Sequence, residues 1–106
     1  MDAVTAVSGS GPAYMFLLVE SLVAAGVAEG LSAETSRALA VQTMYGAARM
    51  MSLTMEDPGV LRKKVTSAGG TTEAAIKALE AKGWGAIMQE AVHAARVRSE
   101  ELAQLA

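Results

Sequence analysis

The residues of this chain best equipped for chemistry lie in one short run. It is Val65-Thr66-Ser67-Ala68-Gly69-Gly70-Thr71-Thr72, leading directly into a helical pattern from Glu73 to Lys82. Ser67, Thr71 and Thr72 offer three hydroxyls. Gly69 and Gly70 allow backbone conformations closed to other residues and a close approach to a ligand. The start of the helix presents unpaired N–H groups and the positive end of its dipole. Together these parts make a small-anion site suited to a carboxylate or a phosphate. The same residues also suit a capped helix after a flexible turn, and the run alone leaves both readings open.

Other candidates are weaker. His93 has no second histidine or carboxylate at metal-ligand spacing and reads as a surface or half-buried residue. The methionines at 44, 50, 51, 55 and 88 fit gap-filling in a core. Glu20 and Arg98 each interrupt an apolar face and are expected to be structural, paired with each other or with another group. The run Arg96 to Glu101 reads as a solvated helix face. Ser8-Gly9-Ser10-Gly11-Pro12 is glycine-rich but lacks both the spacing and the preceding strand of a nucleotide fingerprint. The residues thus offer no Rossmann unit, no P-loop, no catalytic dyad and no metal cluster.

The elements that position the run are helices. Ser10-Gly11-Pro12 is a start signal for a first helix to about Glu29, with Gly30 as its stop. That helix is apolar nearly all round and is expected to be buried on most sides. Ser32 caps a second helix to roughly Thr54, with Glu34 in its first turn. Asp57-Pro58 starts a short third helix to about Lys64. The fourth follows the Gly-Gly loop, with Ile76 and Leu79 on one side and a Glu73/Lys77 pair on the other, and Gly83 ends it. The fifth begins near Trp84, its stripe of Trp84, Met88, Ala91, Ala95, Leu102 and Leu105 broken by Arg98. No period-two run is long enough for a sheet. The expectation is an all-α bundle of about five helices forming one domain over residues 1–106.

Composition sharpens this. Hydrophobic residues make up 52% of the 106 and the mean hydropathy is +0.31. A chain this short cannot hide so much apolar surface within itself, so an oligomer is expected. The net charge of −2 leaves no basic footprint for nucleic acid. With no cysteine there is no disulfide frame and no thiolate chemistry. No charged segment precedes an apolar core at the N-terminus, so no signal peptide is read there. The apolar stretch Pro12 to Val19 stops at Glu20, too short to span a bilayer. A soluble, cytoplasmic protein with neither membrane nor nucleic-acid partner is expected.

Several blocks carry a resemblance. They are Val4-Thr-Ala-Val-Ser-Gly-Ser-Gly-Pro-Ala-Tyr14, Gln42-Thr43 with Gly46-Ala-Ala48, Leu61-Arg62, Val65 to Thr72, and Glu101-Leu102. In order and spacing the chain resembles pyrroline-5-carboxylate reductase, over that family's C-terminal half only. The resemblance implies an all-helical dimerisation domain, 6-phosphogluconate dehydrogenase C-terminal-domain-like, in an interlocked homodimer. It also implies a dinucleotide-binding Rossmann half that has no counterpart here. On this reading Met1-Asp2 begins about where the helical half begins, as in an excised or separately made C-terminal domain.

The family's reaction reduces the C=N bond of 1-pyrroline-5-carboxylate to L-proline with a hydride from NAD(P)H. By resemblance Val65, Ser67, Gly69, Gly70, Thr71 and the helix start bind the substrate carboxylate. Thr72 resembles the catalytic threonine that hydrogen-bonds the ring nitrogen, as a positioning group whose hydroxyl pKa is too high for free proton release. The proton then comes through water or with an iminium already protonated. The family usually has proline where Ala68 stands, and its loss should loosen the loop by roughly 0.4–1 kcal/mol. Glu73 is expected to point outward, away from the anion.

Related enzymes such as the β-hydroxyacid dehydrogenases use a helix-borne lysine. Lys63, Lys64, Lys77 and Lys82 sit near helix ends or on polar faces, which argues against that chemistry here. The expectation is the substrate-binding, self-associating half of a reductase that binds no cofactor and needs no metal by itself. The alternative is a self-associating helical module with no activity of its own.

Overall fold

A computed structural model of the chain describes residues 1–105, and all the regular structure among them is helical. A short opening helix, α1 (Asp2–Val4), runs into a π-helical stretch, Thr5–Gly9. Then come α2 (Gly11–Ala28), α3 (Ala33–Thr54), α4 (Pro58–Lys64), α5 (Thr71–Ala81) and α6 (Trp84–Leu105). The chain divides into two compact units: Met1–Ala13 together with the stretch from Thr66 onward, and Tyr14–Val65.

The helix ends follow from local chemistry. The Ser32 hydroxyl accepts the Thr35 N–H at 3.1 Å and opens α3. The Asp57 carboxylate accepts the Gly59 N–H at 2.8 Å, with Pro58 at the first position of α4. Gly30 (φ 108°) and Gly83 (φ 82°) take the left-handed conformations that terminate α2 and α5. Met55 closes α3 in the same way at φ 58°, the only non-glycine residue with positive φ among those described. Beside it the Thr54 hydroxyl accepts the Glu56 N–H at 3.2 Å, and Glu56 pairs with Lys64 at 2.7 Å. The predicted boundaries of the five longer helices hold to within two residues. The departure is at the N-terminus, where residues 2–9, given no element from the sequence, are helical.

Within Tyr14–Val65, α2 and α3 meet through small residues. The Ser36 hydroxyl donates to the Val23 carbonyl at 2.9 Å, and both Ser36 and Ala40 are buried. A Cβ added at Gly26 would lie 2.1 Å from Ser36 Oγ, so only glycine allows the two backbones this close. In the other unit Ala6 is fully buried, and the Ser99 hydroxyl donates to Asp2 Oδ1 at 2.6 Å, tying α6 to α1.

Little else is covered. Among the described residues only Ala6, Gly11, Ser36 and Ala40 are buried. The expectation that the first helix is buried on most sides therefore fails within one chain: Phe16 of α2 is 73% exposed, and Met15, Leu17, Leu22 and Val27 are exposed too. Glu20 and Arg98 are likewise exposed, and Arg98 pairs with Glu101 at 3.1 Å on its own helix. The accessible surface is 8149 Å². A folded monomer of 10.9 kDa exposes roughly 5,600 Å² by the usual mass scaling. The excess of about 2,500 Å² per chain is of the size that obligate interfaces bury.

The helical run Asp2–Ala28, with a hydropathy of 1.5, is long and apolar enough by composition to cross a membrane. The sequence alone ends the apolar stretch Pro12 to Val19 at Glu20, whereas the helical run continues past that single charge to Ala28 and extends back to Asp2. Core helices of soluble proteins pass the same test.

Candidate functional site

The Val65–Thr72 run forms a tight turn stacked on a helix start. Val65 closes α4 with its side chain exposed. The Ser67 carbonyl accepts the Gly70 N–H at 3.1 Å, which makes Ser67–Gly70 a β-turn. Gly69, third in that turn, has φ 74°, as a type II turn demands. Ala68 is the second residue, the place where such turns favour proline. Ala68 holds that place without a proline, and the turn forms all the same.

Gly70 is the N-cap of α5, with φ −89° and ψ −179°. This extended conformation is open to any residue, so the special backbone freedom expected of both glycines is not used at Gly70. The left-handed glycine is Gly69. What Gly70 needs is space, because a Cβ there would meet the Ser67 carbonyl oxygen at 3.3 Å.

The first helical bond of α5 is Ala74 N–H to the Gly70 carbonyl at 3.2 Å, and Gly70 supplies no side-chain cap. The N–H groups of Thr71, Thr72 and Glu73 therefore have no acceptor among the described residues. Thr71 and Thr72 are the first two residues of α5, and both are exposed, as is Ser67. Ser67, Gly69, Gly70, Thr71 and Thr72 are thus brought together around one helix N-terminus. The arrangement can hold a small anion on backbone donors with hydroxyls at its rim.

Glu73 departs from expectation. Its side chain does not point away from the loop: Glu73 Oε1 accepts the Gly69 N–H at 3.1 Å and lies 3.5 Å from Lys77 Nζ. The signal was legible, because glutamate three residues after an N-cap habitually folds back onto the preceding backbone. Its weight was missed because the cap here is glycine rather than serine or threonine.

Elsewhere, His93 is exposed on α6. It lines a shallow apolar groove with Ala3, Val7, Met88 and Val92, and Arg96 at its edge pairs with Glu100. A second groove, lined by Phe16, Val19, Val23, Val41, Glu20 and Arg37, lies between α2 and α3. Neither includes the loop.

Residues 1–102 match the family model described as pyrroline-5-carboxylate reductase dimerisation. The chain belongs to this family. It is 53% identical over 104 residues to the pyrroline-5-carboxylate reductase of Pseudomonas aeruginosa, covering 98% of this chain and 38% of that protein. To the Arabidopsis thaliana pyrroline-5-carboxylate reductase it is 53% identical over 103 residues, covering 97% and 37%.

Solved structures agree. A pyrroline-5-carboxylate reductase from Coxiella burnetii superposes with a TM-score of 0.92 at 46% identity, over 95% of this chain and 37% of that one. The Plasmodium falciparum pyrroline carboxylate reductase, with NADP bound, gives 0.91 at 39% identity, over 95% and 38%. The chain therefore spans under two-fifths of the length of these reductases. The all-α fold and the dimerisation-domain identity read from the sequence are both shown by these matches.

Proposed function

We propose that this chain is the dimerisation and substrate-binding portion of a pyrroline-5-carboxylate reductase, and that it acts in the cytoplasm in proline biosynthesis. The observation that carries this reading is the Ser67–Gly70 turn set against the open N-terminus of α5. The substrate of such an enzyme brings a carboxylate and an imine nitrogen. The N–H groups of Thr71, Thr72 and Glu73 suit the carboxylate, with Ser67, Gly69, Gly70 and Val65 shaping the approach. The Thr72 hydroxyl, one helical position in, suits a hydrogen bond to the ring nitrogen. It holds that nitrogen and its proton in place while electron density arrives there.

The chemistry a nicotinamide cofactor supplies is a hydride to the C=N carbon. This chain's described residues do not fit that cofactor. They include no strand, and the glycines of Ser8–Pro12 lie in helical turns rather than in a strand-to-helix loop. The cofactor is therefore assigned to a dinucleotide-binding domain outside these residues.

The uncovered surface supports an interlocked homodimer, each copy laying apolar helices on the other. It is also the reason to read Asp2–Ala28 as a partner-covered helix rather than a membrane span. Neither a basic patch nor a nucleic-acid motif suggests a polynucleotide partner.

The test is kinetic. The chain alone should not oxidise NADPH in the presence of pyrroline-5-carboxylate. Joined to a dinucleotide-binding domain it should, and Thr72→Ala should then lower turnover on the order of 10- to 100-fold while substrate binding persists. Unchanged steady-state constants in Thr72→Ala would reduce the threonine to a helix-start residue.

A further inference from the structure

Four N–H groups belong to the loop and the start of α5, from Gly69, Thr71, Thr72 and Glu73, and one of them is already taken. Gly69 N–H donates to the carboxylate of Glu73 at 3.1 Å. That carboxylate belongs to the third residue of the helix whose N-terminus forms the site. Lys77, one turn on, is close enough to pair with it at 3.5 Å but does not hydrogen-bond it. The Glu73 side chain is one-third exposed and Lys77 is 75% exposed, so the carboxylate can swing between the two partners through water.

We infer that Glu73 is a resident carboxylate that biases the charge the loop will accept, weakening a dianionic phosphate more than a monoanionic carboxylate. This rests on the reading of the loop as an anion site. Backbone donors at a helix start do not by themselves distinguish the two ligands. A fixed negative charge beside a bound anion does, because repulsion scales with the ligand's charge. At the dielectric of bulk water, which so exposed a loop approaches, that repulsion weakens a monoanion on the order of 5-fold before any offset by Lys77. A dianion pays the same factor twice, about 25-fold. Glu73 thus acts as a specificity-determining residue through charge, while its oxygen keeps the Gly69 turn in place.

The experiment compares the chain with its Glu73→Gln variant, which retains an acceptor oxygen for Gly69 and loses the charge. Acetate, L-proline and inorganic phosphate are titrated at pH 8, followed by backbone amide NMR shifts. Acetate and L-proline should move the Gly69, Thr71, Thr72 and Glu73 amides of the parent chain. Glu73→Gln should tighten acetate about 5-fold and phosphate about 25-fold, and Lys77→Gln should shift both the other way. If the loop amides respond in the parent but Glu73→Gln gains nothing, or gains equally for both anions, the role of Glu73 is overturned and the loop reading stands. If no loop amide responds to acetate or L-proline in either protein, the loop reading falls and this inference with it.

Discussion

Replacing Gly26 by alanine should destabilise the chain, although the same change in an open helix stabilises by roughly 0.5–1 kcal/mol. The added Cβ would lie 2.1 Å from Ser36 Oγ, 3.2 Å from Ser36 Cβ and 3.4 Å from Leu31 Cδ1. Ser36 is 3% exposed, and its hydroxyl is committed to the Val23 carbonyl at 2.9 Å. To escape, the hydroxyl must rotate and leave a buried donor unsatisfied, at a cost of about 1–3 kcal/mol. The Cβ contact remains and forces α2 and α3 apart by some tenths of an ångström, an overpacking term of about 1–3 kcal/mol. Set against the propensity gain, and allowing for relaxation, the net loss should be about 1–3 kcal/mol.

Urea unfolding followed by circular dichroism, at one fixed protein concentration, measures it. Ser36→Ala removes the clashing oxygen but keeps the 3.2 Å contact. The double variant should therefore recover roughly half the loss, as a coupling between neighbours. A Gly26→Ala chain as stable as its parent would refute the close-approach argument.

Three further outcomes are expected. Light scattering at micromolar concentration should find a dimer or larger assembly, with a melting temperature that rises with protein concentration; a folded monomer would contradict the surface-area argument. Gly69→Ala should cost about 1 kcal/mol in denaturant titrations, from its φ of 74° alone. Gly70→Val should act mainly through the Ser67 carbonyl 3.3 Å from its Cβ, weakening carboxylate binding more than stability, as binding and unfolding titrations together would reveal.

What was legible in the sequence was what local chemistry decides. Ser32, Asp57-Pro58, Gly30 and Gly83 mark helix ends because each satisfies or terminates backbone groups within a few residues of itself. The turn before α5 and the start of that helix were legible for the same reason. The helical N-terminus was not, because Asp2 is fixed by Ser99, 97 residues away, and no local pattern announces that bond. The exposure of Glu20 and Arg98 was missed on different grounds. An apolar face in sequence declares that something covers it, but not whether the cover belongs to the same chain.

The π-helical stretch Thr5–Gly9 carries a consequence of its own. The bond from Ser10 N–H to the Thr5 carbonyl, 2.8 Å, spans five residues where an α-helix spans four. One residue is therefore supernumerary to the helical repeat. Deleting a single position there, such as Val7, would let the helix close into a regular α-form with every backbone bond retained. The residues on either side would keep their facing, because the wide turn already absorbs the extra position. Asp2 would then still reach Ser99. Closing the wide turn without removing a residue would instead rotate Asp2 and Ala3 by about 100° about the axis and away from Ser99. The bulge thus works as a phase corrector, letting one extra residue pass without changing which side of the N-terminal helix meets α6. A one-residue deletion should leave both the contact with α6 and the helical content almost unchanged.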